Sequence, residues 1–161
     1  MRPAPPPELR HAVALDGIHE AFVGGPMQHW AASADVLAMQ RRVSAGDAQC
    51  VRLWRAFGRL IGNSDMHFGN LSLWADEPAS GRFSLAPCYD MLPMCYRPDL
   101  QRSDFGPTPI EPATPTLPDA AVWPEALRLA RTFWRGVADH RPCSAAFRDV
   151  AEQNAARLGR S

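Results

Sequence analysis

The chain has 161 residues and contains no lysine, so all 17 of its strongly basic side chains are arginines. These arginines are balanced by 17 acidic residues, which gives a formal net charge of zero at pH 7. Binding to nucleic acid or to an anionic membrane relies on clustered positive charge, and this balance argues against both. We therefore expect no direct nucleic-acid binding and no membrane association, and we expect a small molecule or another protein as the partner.

The sequence also lacks C-x-x-C pairs, a secretory signal and long apolar runs. Its four cysteines are scattered, and no apolar run approaches the roughly 20 residues that span a bilayer. The segment 1–7 carries four prolines and one arginine, where a signal peptide would have an apolar core. We expect reduced thiols and a cytoplasmic location.

Proline and glycine dominate the beginning of the chain, so we expect residues 1–29 to be irregular. Proline fixes φ and offers no backbone donor, and three glycines interrupt the apolar residues that follow the prolines. At most a short helix is expected near residues 18–22. Residues 30–161 carry stronger helical and strand patterns, and we expect them to form one domain.

Two periodic apolar segments in the first half of the chain predict helices. Ser33 is expected to cap the first helix. The apolar residues of this helix lie at helical spacing and are Val36, Leu37, Met39 and Val43. The second helix is expected to begin near Asp47 and to end at Gly62 and Asn63, because both of these residues tolerate the left-handed conformation of a helix C-terminus.

A β-hairpin and a proline-rich loop are expected next. Residues 71–74 and 83–85 have strand-like sequences and flank a run of turn-forming residues, which predicts a hairpin within 71–90. The dense prolines of 97–118 exclude regular structure there, so this segment is expected to be a long loop.

Two helices are expected to close the chain. The first covers about 120–139 and carries apolar residues on one face, including Phe133 and Trp134. The second covers 144–158, with Ser144 as its N-cap. The predicted fold class is therefore mainly α with a small β-hairpin.

The most informative stretch is the polar loop 62–70 between the second helix and the hairpin, with the sequence GNSDMHFGN. Asp65 and Asn70 have the D-x-x-x-x-N spacing of a kinase catalytic loop. In such a loop the aspartate accepts the proton of the substrate hydroxyl, and the asparagine oxygen binds Mg²⁺. The spacing alone is a weak signal, since a loop aspartate more often caps a turn.

A second acidic residue, Asp90, follows Tyr89 at the far end of the predicted hairpin. In a kinase the catalytic loop leads into a short hairpin that delivers a second aspartate to Mg²⁺. Asp90 holds the corresponding place, although its neighbours do not form D-F-G. The two acids and the amide predict a metal-phosphate site, because phosphoryl transfer depends on positioning and on neutralising phosphate charge.

Two motifs together resemble the C-terminal domain of HipA-family toxins, and most of all the subgroup named YjjJ. They are LIGNSDMHFGNLS at 60–72 and LAPCYDMLP at 85–93. The resemblance implies a mostly helical kinase-like lobe in which Asp65 is the catalytic residue. The residues that it implies for cofactor binding are His67, Asn70, Tyr89 and Asp90. Of these, Asn70 and Asp90 are the implied Mg²⁺ ligands.

By this resemblance the chain is expected to be an ATP-dependent serine/threonine protein kinase, the toxin of a type II toxin–antitoxin system. Its cofactors would be ATP and Mg²⁺, and it would transfer the γ-phosphate of ATP to a protein hydroxyl. The implied protein substrate is an aminoacyl-tRNA synthetase or the kinase itself. A helix-turn-helix antitoxin is an implied partner.

The chain departs from the family on its N-terminal side. Family members carry an N-terminal lobe with a phosphate-binding loop and a lysine that pairs with the ATP phosphates. Nothing before Trp30 resembles that loop, and the planar fork of arginine does not replace an ammonium geometrically. We therefore expect the C-terminal lobe of a kinase-like fold without its N-lobe, weakly active or inactive alone. A complementary N-lobe polypeptide would be a further partner.

Two alternatives stay open. In the first alternative, the chain is a catalytically dead lobe that acts as a protein-binding module for an antitoxin or a partner lobe. In the second, His67 is a metal ligand, although no second histidine or cysteine lies at ligand spacing. A structural role for His67 in shaping the loop is the expected one.

Overall fold

The computed structural model describes residues 11–77, 80–97 and 107–159, and for residues 76 and 77 it describes the backbone alone. Within these residues the helices and strands are β1 His11–Ala14, α1 Leu15–Phe22, α2 Trp30–Met39, α3 Ala45–Ile61, β2 Ser72–Glu77, β3 Arg82–Leu85, α4 Trp123–Asp139 and α5 Ala145–Arg157. Short 3₁₀ turns lie at Phe68–Asn70, Met94–Tyr96 and Leu117–Asp119. Helices predominate, so the predicted mainly α class is confirmed.

The chain divides into two compact units. The first unit comprises the chain up to Ala48 together with His67–Tyr89, and the second comprises Gln49–Met66 together with Asp90–Ser161. The first turn of α3 therefore belongs to the first unit, and the rest of that helix belongs to the second.

An antiparallel sheet in the order β1-β2-β3 organises the first unit. Val13 pairs with Leu73, which pairs in turn with Leu85 across the hairpin. Leu73 is buried, and the turn from β1 into α1 is held by a 2.8 Å bond from the Leu15 N–H to the Leu71 carbonyl. The predicted hairpin is confirmed, and it belongs to a three-stranded sheet.

The short helix expected near residues 18–22 is present as the end of α1, but the irregular character expected for the rest of residues 1–29 is wrong for 11–17, which form β1 and the start of α1. β1 has only four residues, too few for periodicity to identify, and its hydrogen-bond partners lie on β2, distant in the sequence. α1 is fixed by Leu15 and Ile18, whose side chains are buried. The domain boundary placed after residue 29 stays a prediction, and residues 1–10 lie outside the described part of the chain.

α2 begins before the cap that the sequence suggested. His29 is the N-cap, and its Nδ1 accepts a hydrogen bond from a backbone N–H of the first turn at 3.1 Å. Ser33 is buried within the helix, where its Oγ lies 2.8 Å from Nδ1 of His19. Met39 is 84% exposed and Val43 lies beyond the helix, so the expected apolar stripe is wrong at both positions. A ring nitrogen serves here as the capping acceptor in place of a hydroxyl.

Trp134 on α4 lies at the centre of the second unit's core and is fully buried. Its ring contacts Tyr96, Phe133 and Phe147 edge-on, at centroid distances between 5.1 and 6.5 Å. The indole N–H donates to the Leu60 carbonyl at the end of α3, at 3.4 Å. The expected helix α4 is confirmed, although it begins at Trp123 rather than near residue 120.

The turn before α4 is fastened to α3 by Asp119, whose side chain is 1% exposed. Its carboxylate accepts hydrogen bonds from Arg55 at 3.1 Å, from Arg59 at 2.6 Å and from the Thr116 hydroxyl at 2.7 Å. Burial acts to raise the pKa of Asp119, but these hydrogen bonds and guanidinium charges outweigh it, and the pKa lies below its usual value. Asp119 is therefore held in its ionised form.

α5 begins as expected, because the Ser144 side chain accepts a hydrogen bond from the Phe147 N–H at 3.2 Å. In the proline-rich segment, residues 107–116 form neither helix nor strand. This stretch is tied to α5: the Ile110 N–H donates to Asn154 at 3.0 Å, and Arg157 donates to the Ile110 carbonyl at 3.1 Å. The rest of the predicted loop, at 98–106, lies outside the described residues.

All four cysteines are free thiols, as expected. Across residues 11–77, 80–97 and 107–159, no helix combines the length and the apolar character that crossing a membrane requires.

Candidate functional site

The C-terminus of α3 is shaped by Gly62, whose φ is 75°. The Gly62 N–H bonds the Arg59 carbonyl at 3.4 Å, and the Asn63 N–H bonds the Gly58 carbonyl at 2.8 Å. This pair of bonds is a Schellman motif, which ends a helix sharply and favours glycine at the left-handed position. Gly62 ends α3 in the left-handed conformation that the sequence predicts, and the bond to the Gly58 carbonyl fixes the backbone of Asn63.

Asn63 is 6% exposed, and its side-chain amide lies between the two acidic residues of the motifs. Its Oδ1 accepts a hydrogen bond from the Asp65 N–H at 2.9 Å, the geometry of an Asx-turn. Its Nδ2 donates to the Asp90 carbonyl at 3.3 Å. One buried amide thus joins two segments that are 27 residues apart at this contact, and it brings Asp65 and Asp90 together within the second unit.

The methionines that follow the two acids reinforce this arrangement. Met66 and Met91 both place their sulfur atoms against Gly58 on α3, where a Cβ would collide with Met66 and would lie 3.2 Å from Met91 Sδ. The Met91 sulfur also lies 3.5 Å from Nδ2 of Asn63. Glycine at position 58 therefore lets both acid-bearing segments approach the last turns of α3.

Asp90 adopts a left-handed backbone conformation, with φ of 52°. Non-glycine residues rarely do so, and the strain of about 1–3 kcal/mol persists only where surrounding contacts hold the residue in place. The bond from Asn63 to the Asp90 carbonyl is one such contact. The Asp90 side chain is exposed, and that of Asp65 is half-buried.

The remaining predicted residues lie in the first unit, around the turn Phe68–Asn70. His67 caps this turn: its Nδ1 accepts a hydrogen bond from the Gly69 N–H at 3.1 Å, and its carbonyl accepts one from the Trp30 indole at 2.9 Å. The Asn70 N–H donates to the same carbonyl at 3.0 Å. Asn70 is therefore carried by a turn that is fixed at both ends.

Tyr89 fixes the other side of this turn. Its hydroxyl donates to the Gly69 carbonyl at 2.6 Å and lies 2.8 Å from the Ser72 hydroxyl. The Tyr89 side chain is 41% exposed, so part of its ring faces solvent while its hydroxyl is committed to the backbone beside Asn70.

The structure therefore gathers the predicted residues in two groups. Asp65 and Asp90 are joined in the second unit, and His67, Asn70 and Tyr89 surround one turn in the first. Asn63, which the sequence marked only as a helix end, is the functional candidate that sequence reasoning missed. A buried asparagine between a helix end and the motif aspartate is the signal that could have found it.

Oxygen donors dominate the metal-binding candidates. In the described part of the chain, no group of three or more His, Cys, Asp or Glu residues is arranged to hold a metal ion. The bonded Nδ1 of His67 favours its structural role in the loop. The Asp90 carboxylate and the Asn70 amide oxygen are each hard donors of the kind that Mg²⁺ accepts, and Mg²⁺ retains waters and substrate phosphates alongside few protein ligands.

Comparisons with known proteins agree with the motifs. A family model described as the HipA-like C-terminal domain matches residues 16–156. Toxin YjjJ of Escherichia coli (strain K12) is 38% identical over 142 residues, a match that covers 88% of this chain and 31% of that relative. The chain thus spans less than a third of the relative's length. No solved structure matches the chain. The resemblance inferred from the two motifs is confirmed.

Proposed function

Since the chain belongs to the family of HipA-like C-terminal domains, we propose that it supplies the catalytic half of a serine/threonine protein kinase. The reaction would transfer the γ-phosphate of ATP to a hydroxyl of a protein substrate. In this proposal, Asp65 orients that hydroxyl and accepts its proton as the phosphorus–oxygen bond forms.

The remaining roles follow from the motifs residue by residue. Asn70 and Asp90 would hold Mg²⁺, and His67 and Tyr89 would complete the cofactor-binding side. When bound, Mg²⁺ neutralises the charge of the ATP phosphates. The protein's own part is to fix these ligands, which is consistent with the hydrogen bonds that hold the turn carrying Asn70 and the backbone of Asp90.

The observation that carries the proposal is the joining of Asp65 and Asp90 by one buried amide. Both bonds reach backbone atoms of the two acids, so the amide fixes where each side chain begins while the carboxylates stay accessible. Phosphoryl transfer requires a hydroxyl-orienting carboxylate and a metal-binding carboxylate at fixed positions, and errors of about 1 Å reduce rates about 100-fold.

The biological setting is proposed from the relative that is named as a toxin. We propose that the chain acts within a type II toxin–antitoxin system, with a helix-turn-helix antitoxin as a partner. An aminoacyl-tRNA synthetase or the kinase itself is the proposed substrate. A complementary N-lobe would supply the grip on ATP, because the described residues include neither a lysine nor a phosphate-binding loop.

The test is incorporation of labelled phosphate from ATP in the presence of Mg²⁺. The chain is assayed alone and mixed with a complementary N-lobe polypeptide. Incorporation is expected in the mixture, and Asp65→Asn should abolish it. Asp47→Asn is the matched control, because Asp47 lies at the start of α3 and bonds only Ser44 among the contacts described. Absence of incorporation in both forms would overturn the proposal.

Thermal melting separates catalysis from binding alone. Mg-ATP is expected to raise the melting temperature of the chain combined with its complementary N-lobe by mass action. If Mg-ATP leaves the melting temperature unchanged while an antitoxin raises it, the chain is a protein-binding module rather than a kinase.

A further inference from the structure

We propose that Asn63 is a positioning residue that sets the separation of Asp65 and Asp90. This inference rests on the proposed function, in which Asp65 orients the hydroxyl and Asp90 binds the metal ion. Asn63 itself touches neither substrate nor metal in this proposal. It acts through the backbones of the two acids, whose side chains begin at the atoms that it fixes.

The amide of Asn63 is suited to both contacts because it carries an acceptor and a donor. Oδ1 accepts from the Asp65 N–H at 2.9 Å, and Nδ2 donates to the Asp90 carbonyl at 3.3 Å. A carboxylate at this position has no donor, and an aliphatic side chain has neither group. At 6% exposure, water has little access to replace either bond.

Asn63 is itself attached to a rigid element. Its backbone N–H bonds the Gly58 carbonyl in the Schellman motif, so the amide projects from the end of a 17-residue helix. The two side-chain hydrogen bonds of Asn63 therefore fix the backbones of both acids relative to α3. A side chain on a mobile loop could satisfy the same bonds without fixing a distance.

The backbone of Asp90 depends on its bond to Asn63 more than the backbone of Asp65 depends on its own. The left-handed φ of 52° is disfavoured for aspartate, and the hydrogen bond to its carbonyl helps to hold that peptide in one orientation. Loss of the bond would free the Asp90 peptide and hence the direction of its carboxylate. The bond within the Asx-turn is local and would survive a shorter polar side chain.

A variant can therefore remove the bond to the Asp90 carbonyl and keep the bond to the Asp65 N–H. Serine at position 63 retains an oxygen acceptor for the Asp65 N–H, as in an ST-turn, but is too short to reach the Asp90 carbonyl. The control is Asn154→Ser, since Asn154 is a buried asparagine of the same unit that accepts from the Ile110 N–H at 3.0 Å and donates to Tyr96 at 2.9 Å. Asn63→Ser removes the long-range amide bond to Asp90, and Asn154→Ser removes the long-range amide bond to Tyr96 and weakens a second one to Ile110, so the control perturbs the second unit at least as much.

The probe is Mn²⁺, which replaces Mg²⁺ and broadens NMR signals of nearby amides. In the wild-type chain we expect broadening at Asp65 and Asp90. Asn63→Ser should weaken the Mn²⁺ affinity by about 10- to 100-fold, the usual effect of losing a contact behind a metal ligand. Asn154→Ser should leave the Mn²⁺ affinity unchanged, even if it lowers the melting temperature as much as Asn63→Ser does.

Each outcome bears on a separate claim. If wild-type amides at Asp65 and Asp90 are not broadened, the proposed metal site fails, and the role of Asn63 fails with it. If broadening persists in Asn63→Ser at the same Mn²⁺ concentration, the positioning role alone is wrong. Equal weakening in Asn154→Ser would attribute the effect to lost stability and would also overturn the role.

A measurement on the wild type covers the case in which Asn63→Ser does not fold. Titration with Mg²⁺ should shift the side-chain NH₂ signals of Asn63 together with the backbone signal of Asp90. An Asp90 signal that shifts while the Asn63 amide stays unchanged would show that the two residues are not coupled, and it would overturn the inference.

Discussion

Two glycines occupy the same position in helices of equal length, and exchanging each for alanine tests the packing beneath the site. Gly58 on α3 and Gly136 on α4 each lie three residues before the end of a 17-residue helix. A Cβ at Gly136 would have no neighbour within 4 Å. A Cβ at Gly58 would collide with Met66 and press on Met91.

Helix propensity acts equally on both substitutions, so the difference between them measures the methionine contacts. Replacing glycine by alanine in a helix stabilises it by about 0.5–1 kcal/mol. Gly136→Ala should therefore raise the melting temperature by about 1–4 °C. At Gly58 the same gain is opposed by overpacking, which costs about 1–3 kcal/mol. The contacted atoms lie near the ends of flexible side chains, which favours the lower half of that range.

The assay is urea unfolding of the two variants beside the wild type, combined with NMR spectra of the methionine methyl groups. We expect Gly58→Ala to be about 1–2 kcal/mol less stable than Gly136→Ala. The methyl signals of Met66 and Met91 should move in Gly58→Ala and stay in place in Gly136→Ala. Mn²⁺ broadening at Asp65 should weaken only in Gly58→Ala.

Equal stabilisation by both alanines would refute the reasoning. It would mean that the methionine sulfur atoms move aside at no cost, and that Gly58 places no restriction on the acid-bearing segments. Unmoved methionine signals in Gly58→Ala would lead to the same conclusion.

Two further predictions concern ionic and hydroxyl contacts. Asp119→Asn should lower the free energy of unfolding by about 3 kcal/mol at neutral pH, because it leaves two arginines without their buried partner. Because the folded-state pKa of Asp119 is lowered, its stabilisation is complete above the unfolded pKa of about 4 and is lost as the pH falls through the folded pKa. Urea unfolding at neutral pH and below about pH 4 should therefore show that acidification lowers the free energy of unfolding less in Asp119→Asn than in the wild type. Equal decreases in the two proteins would contradict this. Tyr89→Phe should cost about 1 kcal/mol and speed amide hydrogen exchange at Asn70, since the bonds from the hydroxyl to Gly69 and Ser72 disappear, and unchanged exchange would count against that role.

The parts of the fold that sequence predicted are those set by neighbouring residues. Ser144 caps α5 through a bond to the residue three positions on, and Gly62 ends α3 with a positive φ. The hairpin was visible because its two strands flank a turn. Each of these features depends on contacts within a few residues, which a linear pattern records.

The features that sequence did not predict depend on competition or on distant partners. Ser33 was a reasonable cap, but His29 provides the acceptor, and Ser33 bonds the buried His19 instead. β1 has too few residues to show a period, and its backbone bonds lie on β2. No local preference distinguishes these outcomes.

The sequence by itself determined the family, the residue types of the candidate site and their order along the chain. The two motifs carried that information because acids, amides and glycines at fixed spacing have few other uses together. Tertiary structure decided which atoms meet: Asn63 contacts Asp90 across 27 residues, and Gly58 admits Met66 and Met91. Such contacts depend on how the chain returns upon itself, and spacing along the sequence does not encode that path.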